Sequence, residues 1–143
     1  MNSEDVFEDI KSKGKKLTKV RRSIVKTLME GHAILTADDV KNKLLDKGIK
    51  VNKTTIYREL SFLLSQRIIK EVLIKPGIVH YESALHPHHH HITCNNCGRI
   101  EEIDTSELDD SMKKLESYIS RKGYNVADHQ LEFYGICAGC INL

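Results

Sequence analysis

NKTTIYRELSFLLSQRIIKEVLIKPGIVHYE, Asn52 to Glu82, changes its hydrophobic period part-way along. Ile56, Leu60, Leu63 and Leu64 recur every three or four positions, one stripe of a helix, and Asn52 stands where a side chain would accept the first free amides. After that stripe come two β-branched runs, IIKEVLI and IVHYE, around Lys75-Pro76-Gly77, which read as a hairpin. Opposite the apolar stripe, Thr54, Tyr57 and Arg58 share an exposed face at i, i+3 and i+4.

Toward the N-terminus two more helices are expected. Leu17, Val20, Ile24 and Leu28 keep helical spacing between a Thr18 cap and Gly31. Thr36 caps the next, with Ala37, Val40, Leu44 and Leu45 on its apolar face and Gly48 at its end. Three helices and a hairpin, with a basic excess, are the order of a winged helix-turn-helix, whose second helix of the pair enters the major groove. Residues 52–66 would be that recognition helix. The run GKKLTKVRR, Gly14 to Arg22, adds positive charge at a helix start. Taken alone, such a run is more often a solvated surface than a nucleic-acid contact, and its place on the helix-turn-helix pattern raises it above that.

Charge divides the chain in the same way. Up to Glu82 there are 17 Lys and Arg against 11 Asp and Glu, a net +6; from Ser83 onward there are 5 against 9, a net −4. A basic first half points to a polyanion and an acidic second half to cations. No apolar run reaches the ~20 residues that cross a bilayer, and MNSEDVFEDI lacks the basic and apolar regions of a signal peptide. The expected location is the cytoplasm, with no membrane partner. In that reducing compartment the four cysteines are metal ligands or catalytic thiols before they are disulfides.

The second half, from about Ser83, reads as a small α+β unit. HHHHITC and RIEEID form two short strands joined at Cys94–Gly98, Leu108, Met112, Leu115 and Ile119 mark an amphipathic helix, and YNVADHQLEFYGIC is extended. Within it, Cys94-x-x-Cys97 and Cys137-x-x-Cys140 can each grip one edge of a Zn²⁺ tetrahedron, so together they close a four-cysteine structural site. A thioredoxin-like redox motif needs one such pair in a βαβ setting and leaves the second unexplained. The run His88 to His91, if extended, sends His89 and His91 to one face and His88 and His90 to the other. Each H-x-H pair is an incomplete metal site, with Glu82, Glu102, Asp109 and His129 as further donors. Imidazole and carboxylate together suit Zn²⁺, Fe²⁺, Mn²⁺ or Ni²⁺. His32, His80 and His86 have no such company, and ordinary hydrogen-bonded roles are expected of them.

LTKVRRSIV, TADDV, TTIYREL, HHHHITCNNCGRIEEID, DHQLEFYGIC and the final Cys140 together resemble the ferric uptake regulator family of metal-dependent transcriptional repressors, over nearly the whole chain. The resemblance implies an α+β homodimer on pseudo-palindromic operator DNA, each protomer a winged helix-turn-helix (residues 1–83) followed by a small α/β dimerisation domain (residues 84–143). It implies structural zinc on Cys94, Cys97, Cys137 and Cys140. A regulatory hinge site would use Glu82, His89, His91 and Glu102, and a second site His88, His90, Asp109 and His129. Lys16, Arg21, Thr54, Thr55, Tyr57 and Arg58 would face DNA.

Three departures bear on the regulatory site and its effector. Relatives often place a histidine just before the TADDV-type helix start, where this chain has Ile34, so either the remaining donors suffice, nearby His32 substitutes, or the His88/His90/His129 set does the sensing. Glu102 in place of Asp leans away from the peroxide-sensing branch, and Ala84 in place of Cys away from zinc-uptake regulators. Fe²⁺ is then the first choice of effector, with Zn²⁺ next. The competing classes are a zinc hydrolase, built on His89, His91 and a carboxylate, and a metal buffer. Either leaves the basic helical half without a task, and no nucleophile motif or small-molecule pocket signature accompanies them.

Overall fold

A computed structural model describes residues 2–31 and 33–142. Two compact units divide the chain, Met1–His86 and Pro87–Leu143.

The first unit begins with α1 (Ser3–Ser12), a helix in addition to those expected from the sequence. It is a capped helix: the Asn2 side chain accepts from the amides of Glu4 and Asp5 while the Asp5 carboxylate accepts from the Asn2 amide. Its Val6, Phe7 and Ile10 are buried. Next come α2 (Lys19–Met29), α3 (Ala37–Asp46) and α4 (Lys53–Ser65), each opened by the expected residue. Thr18, Thr36 and Asn52 accept hydrogen bonds from the amides of Arg21, Asp39 and Thr55, at 3.1, 3.1 and 2.8 Å. Such caps stabilise by about 1 kcal/mol each.

β1 (Ile69–Lys75) and β2 (Ile78–Ser83) form the antiparallel wing hairpin about Pro76-Gly77. Gly77 sits at φ +78°, where a side chain would be strained. Leu35 exchanges both backbone hydrogen bonds with Tyr81, which ties the segment before α3 to the wing. The core contains Phe7, Ile10, Ile24, Leu28, Leu44, Ile56, Leu60 and Leu63, each at most 1% exposed. Leu45 is a correction. It is 54% exposed, because it lies one residue, about 100°, beyond the Ala37/Val40/Leu44 stripe.

The second unit is a three-stranded sheet ordered β4-β3-β5, with β3 (His90–Cys94) central. β4 (Ile100–Ile103) pairs with it antiparallel and β5 (Glu132–Gly135) parallel. A parallel neighbour needs a long crossover, which α5 (Asp109–Arg121) supplies after a short 3-10 turn at Ser106–Leu108. α6 (Ala138–Ile141) follows. No residue of α5 is buried.

Candidate metal centres and nucleic-acid interface

The four cysteines come together. Cys94 ends β3 and Cys97 lies in the following turn, closed by a Gly98 amide donating to the Cys94 carbonyl at 2.9 Å. Cys137 precedes α6 and Cys140 lies within it. The four sulfurs lie within 4.8 Å of one another, and Cys97 Sγ is 3.8 Å from Cys137 Sγ. A disulfide requires about 2.05 Å, and all four thiols are free. Tetrahedral zinc with bonds of ~2.3 Å would set its sulfurs about 3.8 Å apart. The donor set fits that ion.

Their protonation points the same way. Cys94 is held down to about 6 by backbone N–H groups of Cys137, Cys97 and Asn96 aimed at its sulfur, the Cys137 amide at 3.3 Å. Hydrogen bonding from Arg99 lowers Cys137 as well. Cys140 receives an opposing hydrogen bond from Asn96, yet neighbouring thiols and burial push it up to about 11. Four thiols this close cannot all ionise without a cation among them.

A second group is built on imidazoles. His88 Nε2 lies 3.2 Å from His90 Nε2 and 2.9 Å from His129 Nε2, so three ring nitrogens converge. Nitrogens bound to one tetrahedral ion at ~2.0–2.1 Å would be about 3.3 Å apart. Burial, then the neighbouring His88 and His129, lower the His90 pKa and favour its neutral, metal-binding form. Asp109, expected as a fourth donor, opens α5 and is not in this converged group. The α5 carboxylate at the site is Glu116, about two turns further on, 3.5 Å from His129 Nδ1.

On the opposite face, His89 and His91 are buried with ring centroids 4.8 Å apart. The alternation expected from His88 to His91 therefore holds, although regular strand pairing starts only at His90. His89 Nδ1 donates to the Pro87 carbonyl at 2.7 Å, and His91 Nδ1 lies 3.3 Å from Glu132 Oε1. An oxygen on Nδ1 leaves the lone pair on Nε2, the arrangement metal-binding histidines adopt. Glu132 went unnoticed in the sequence because its partner is 41 residues away, brought beside it by the parallel β3–β5 register. Glu102 stands directly across the ladder from His91. In the first unit, Glu82 is 2% exposed near the end of β2 and forms an ion pair with Lys70, Nζ to Oε1 3.0 Å. His32 lies outside the described residues.

The recognition helix presents the expected face. Thr54, Tyr57 and Arg58 are exposed and Thr55 half-buried, while Ile56, Leu60 and Leu63 hold α4 to the core. Lys16 is exposed in the loop before α2. Arg21 is turned toward α4. Its guanidinium grips Glu59 with Nε–Oε2 at 2.7 Å and Nη2–Oε1 at 3.3 Å and lies 3.6 Å from the Phe62 ring centre. With side chains only 12% and 7% exposed, this is a largely buried ion pair.

The description "Ferric uptake regulator family" matches residues 12–134. The chain belongs to that family. The ferric uptake regulation protein of Neisseria meningitidis is 34% identical over 133 residues, covering 92% of this chain and 90% of that protein. A solved ferric uptake regulator of Francisella tularensis with iron superposes with TM-score 0.75 at 29% identity, over 90% of this chain and 96% of that one. The Helicobacter pylori regulator, which has three functional metal-binding sites, shares the fold with TM-score 0.82 at 23% identity, over 99% and 95%. The family comprises metal-responsive transcription regulators, so the relatives are not enzymes. This chain is accordingly a metal-responsive DNA-binding regulator with a winged-helix and a dimerisation domain.

Proposed function

We propose that the chain is an Fe²⁺-responsive repressor of metal-homeostasis genes, acting in the cytoplasm as a homodimer on operator DNA. One observation carries the reading: a single stretch, His88 to His91, supplies imidazoles to two opposite faces beside a four-cysteine knot, in a chain whose other unit bears an exposed recognition helix. A hydrolase or a metal buffer has no use for that helix.

The regulatory set we assign is Glu82, His89, His91 and Glu102. A bound divalent ion would supply a cross-link between imidazole and carboxylate donors. His89 and His91 are pre-oriented for it through Pro87 O and Glu132. Glu82 is a buried carboxylate four residues short of the unit boundary. An ion that took donors from both units would favour the arrangement bringing those donors together, because a ligand that prefers one arrangement shifts the population toward it. The second set is His88, His90 and His129, with Glu116 against the outer nitrogen of His129. Nitrogen and oxygen donors accommodate both Fe²⁺ and Zn²⁺, and geometry and metal availability rather than affinity choose between them; the 34% identity to a ferric uptake regulation protein favours iron. Lys16, Thr54, Thr55, Tyr57 and Arg58 form the DNA-facing set.

Replacing His89 and His91 together with alanine is expected to abolish metal-dependent operator binding while leaving one zinc per chain on the cysteines. Operator binding that still follows added Fe²⁺ or Mn²⁺ in this variant moves the sensor to the His88/His90/His129 face.

A further inference from the structure

We propose that Arg21 and Glu59 form a clamp that positions the Lys16 loop for duplex DNA, Arg21 itself making no DNA contact. The proposal rests on the DNA-binding reading above. Arg21 stands in the first turn of α2, and its guanidinium reaches three places at once. Nε and Nη2 hold the Glu59 carboxylate, Nη1 donates to the Lys16 carbonyl, and the plane lies against Phe62. Glu59 and Phe62 are i and i+3 on α4, so one face of the recognition helix cradles the guanidinium. Thr54, Tyr57 and Arg58 occupy the same helix's exposed face.

The consequence is geometric. A bidentate carboxylate–guanidinium pair fixes direction as well as distance, so the backbone at Lys16 is tied to the helix that enters the groove. The exposed Lys16 ammonium and the α4 side chains then move as one body. Glu59 is otherwise hard to explain, since an isolated buried carboxylate next to a DNA-reading face repels phosphate. Paired with Arg21 it is neutralised and serves as an anchor.

Glu59→Gln separates the clamp from direct contact, because the two ideas give opposite signs. The probe is a duplex selected from a random pool by the metal-loaded wild-type protein. If Arg21 reached phosphate, releasing it and removing a negative charge would tighten binding and steepen its salt dependence. The clamp predicts weaker binding, with the log–log salt slope shallower by about 0.9, one lost cationic contact. Lys16→Ala in the wild-type background should give the same slope change, and in the Glu59→Gln background no further change. Arg21→Lys, which keeps charge but loses the fork, should behave like Glu59→Gln and guards against a variant that fails to fold. Without DNA, amide exchange at residues 14–17 should quicken in both variants while α2 and α4 keep their protection. Tighter binding in Glu59→Gln, additive losses with Lys16→Ala, or an unchanged loop overturns the clamp. Should the wild-type protein select no duplex at all, the DNA-binding reading fails, and the exchange measurement still decides whether the loop is held.

Discussion

Residues 1–86 bury large apolar side chains from four helices and the wing, whereas from Pro87 onward the buried residues among those described are His89, His90, His91, Thr93 and Cys94. The second unit's large hydrophobics lie outside. Leu108, Leu115, Tyr118, Phe133, Tyr134 and Ile136 are each 40 to 51% exposed. One unit is held by close-packed apolar side chains. The other has metal donors at its centre and an apolar surface around it, which explains why such a unit needs zinc and a second copy. Below the size at which a hydrophobic core suffices, metals and oligomerisation supply the missing stability. Exposed apolar side chains in this number are what a second copy of the chain would cover.

The contrast can be broken most forcefully at the cysteines. Cys94→Ser should lose its zinc and unfold the second unit while the helical spectrum of the first persists, since structural zinc contributes on the order of 10 kcal/mol to small domains. Retained zinc with a native sheet, read by metal analysis and NMR, breaks it. Next, Leu28→Ala should destabilise the first unit by about 2–5 kcal/mol. Leu115→Ala should instead shift the dimer's dissociation constant, so that its effect depends on protein concentration in sedimentation. A loss independent of concentration would mean that α5 packs within its own protomer.

Smaller effects sharpen the picture of the first unit. Arg58→Ala should weaken operator binding by about 1–3 kcal/mol if the side chain reads a base; unchanged affinity in a gel shift removes it from the DNA-facing set. Thr36→Ala should cost about 1 kcal/mol by removing the α3 cap. The same cap carries a pH signature. Side-chain hydrogen bonding from Thr36 holds Asp39 below its ordinary carboxylate value. The unfolded state therefore binds a proton first, and the contact's full stabilisation is present above the ordinary value of 3.8. It is lost as pH falls through the lowered folded value. Thr36→Ala should flatten that part of the acid unfolding curve, and an unchanged acid limb would show the bond is absent in solution.

What could be read from residues alone follows the range of the forces involved. Thr18, Thr36 and Asn52 announced their helices because capping acts over three residues. The two histidine faces were legible because strand alternation is local. α1 carries a local signal as well, a capping box at Asn2 and Asp5 ahead of the buried Val6, Phe7 and Ile10. The Arg21 pairing was not legible, for a different reason. Nothing near it in sequence shows that Glu59, 38 residues on, turns it inward. Glu132 and Glu116 escaped likewise, since a parallel crossover and a helix face decide which carboxylate meets which imidazole. Long-range pairing is where sequence reasoning failed at this site.

The central claim is that ions other than the cysteine-bound zinc set the DNA-binding state. Its most direct test is operator affinity of one preparation, first stripped by a chelator too weak to take that zinc, then reloaded with Fe²⁺ under anaerobic conditions. Reloading should raise affinity by roughly 5- to 150-fold, the span of a 1–3 kcal/mol coupling. Equal affinity before and after, with zinc content unchanged, would contradict the account.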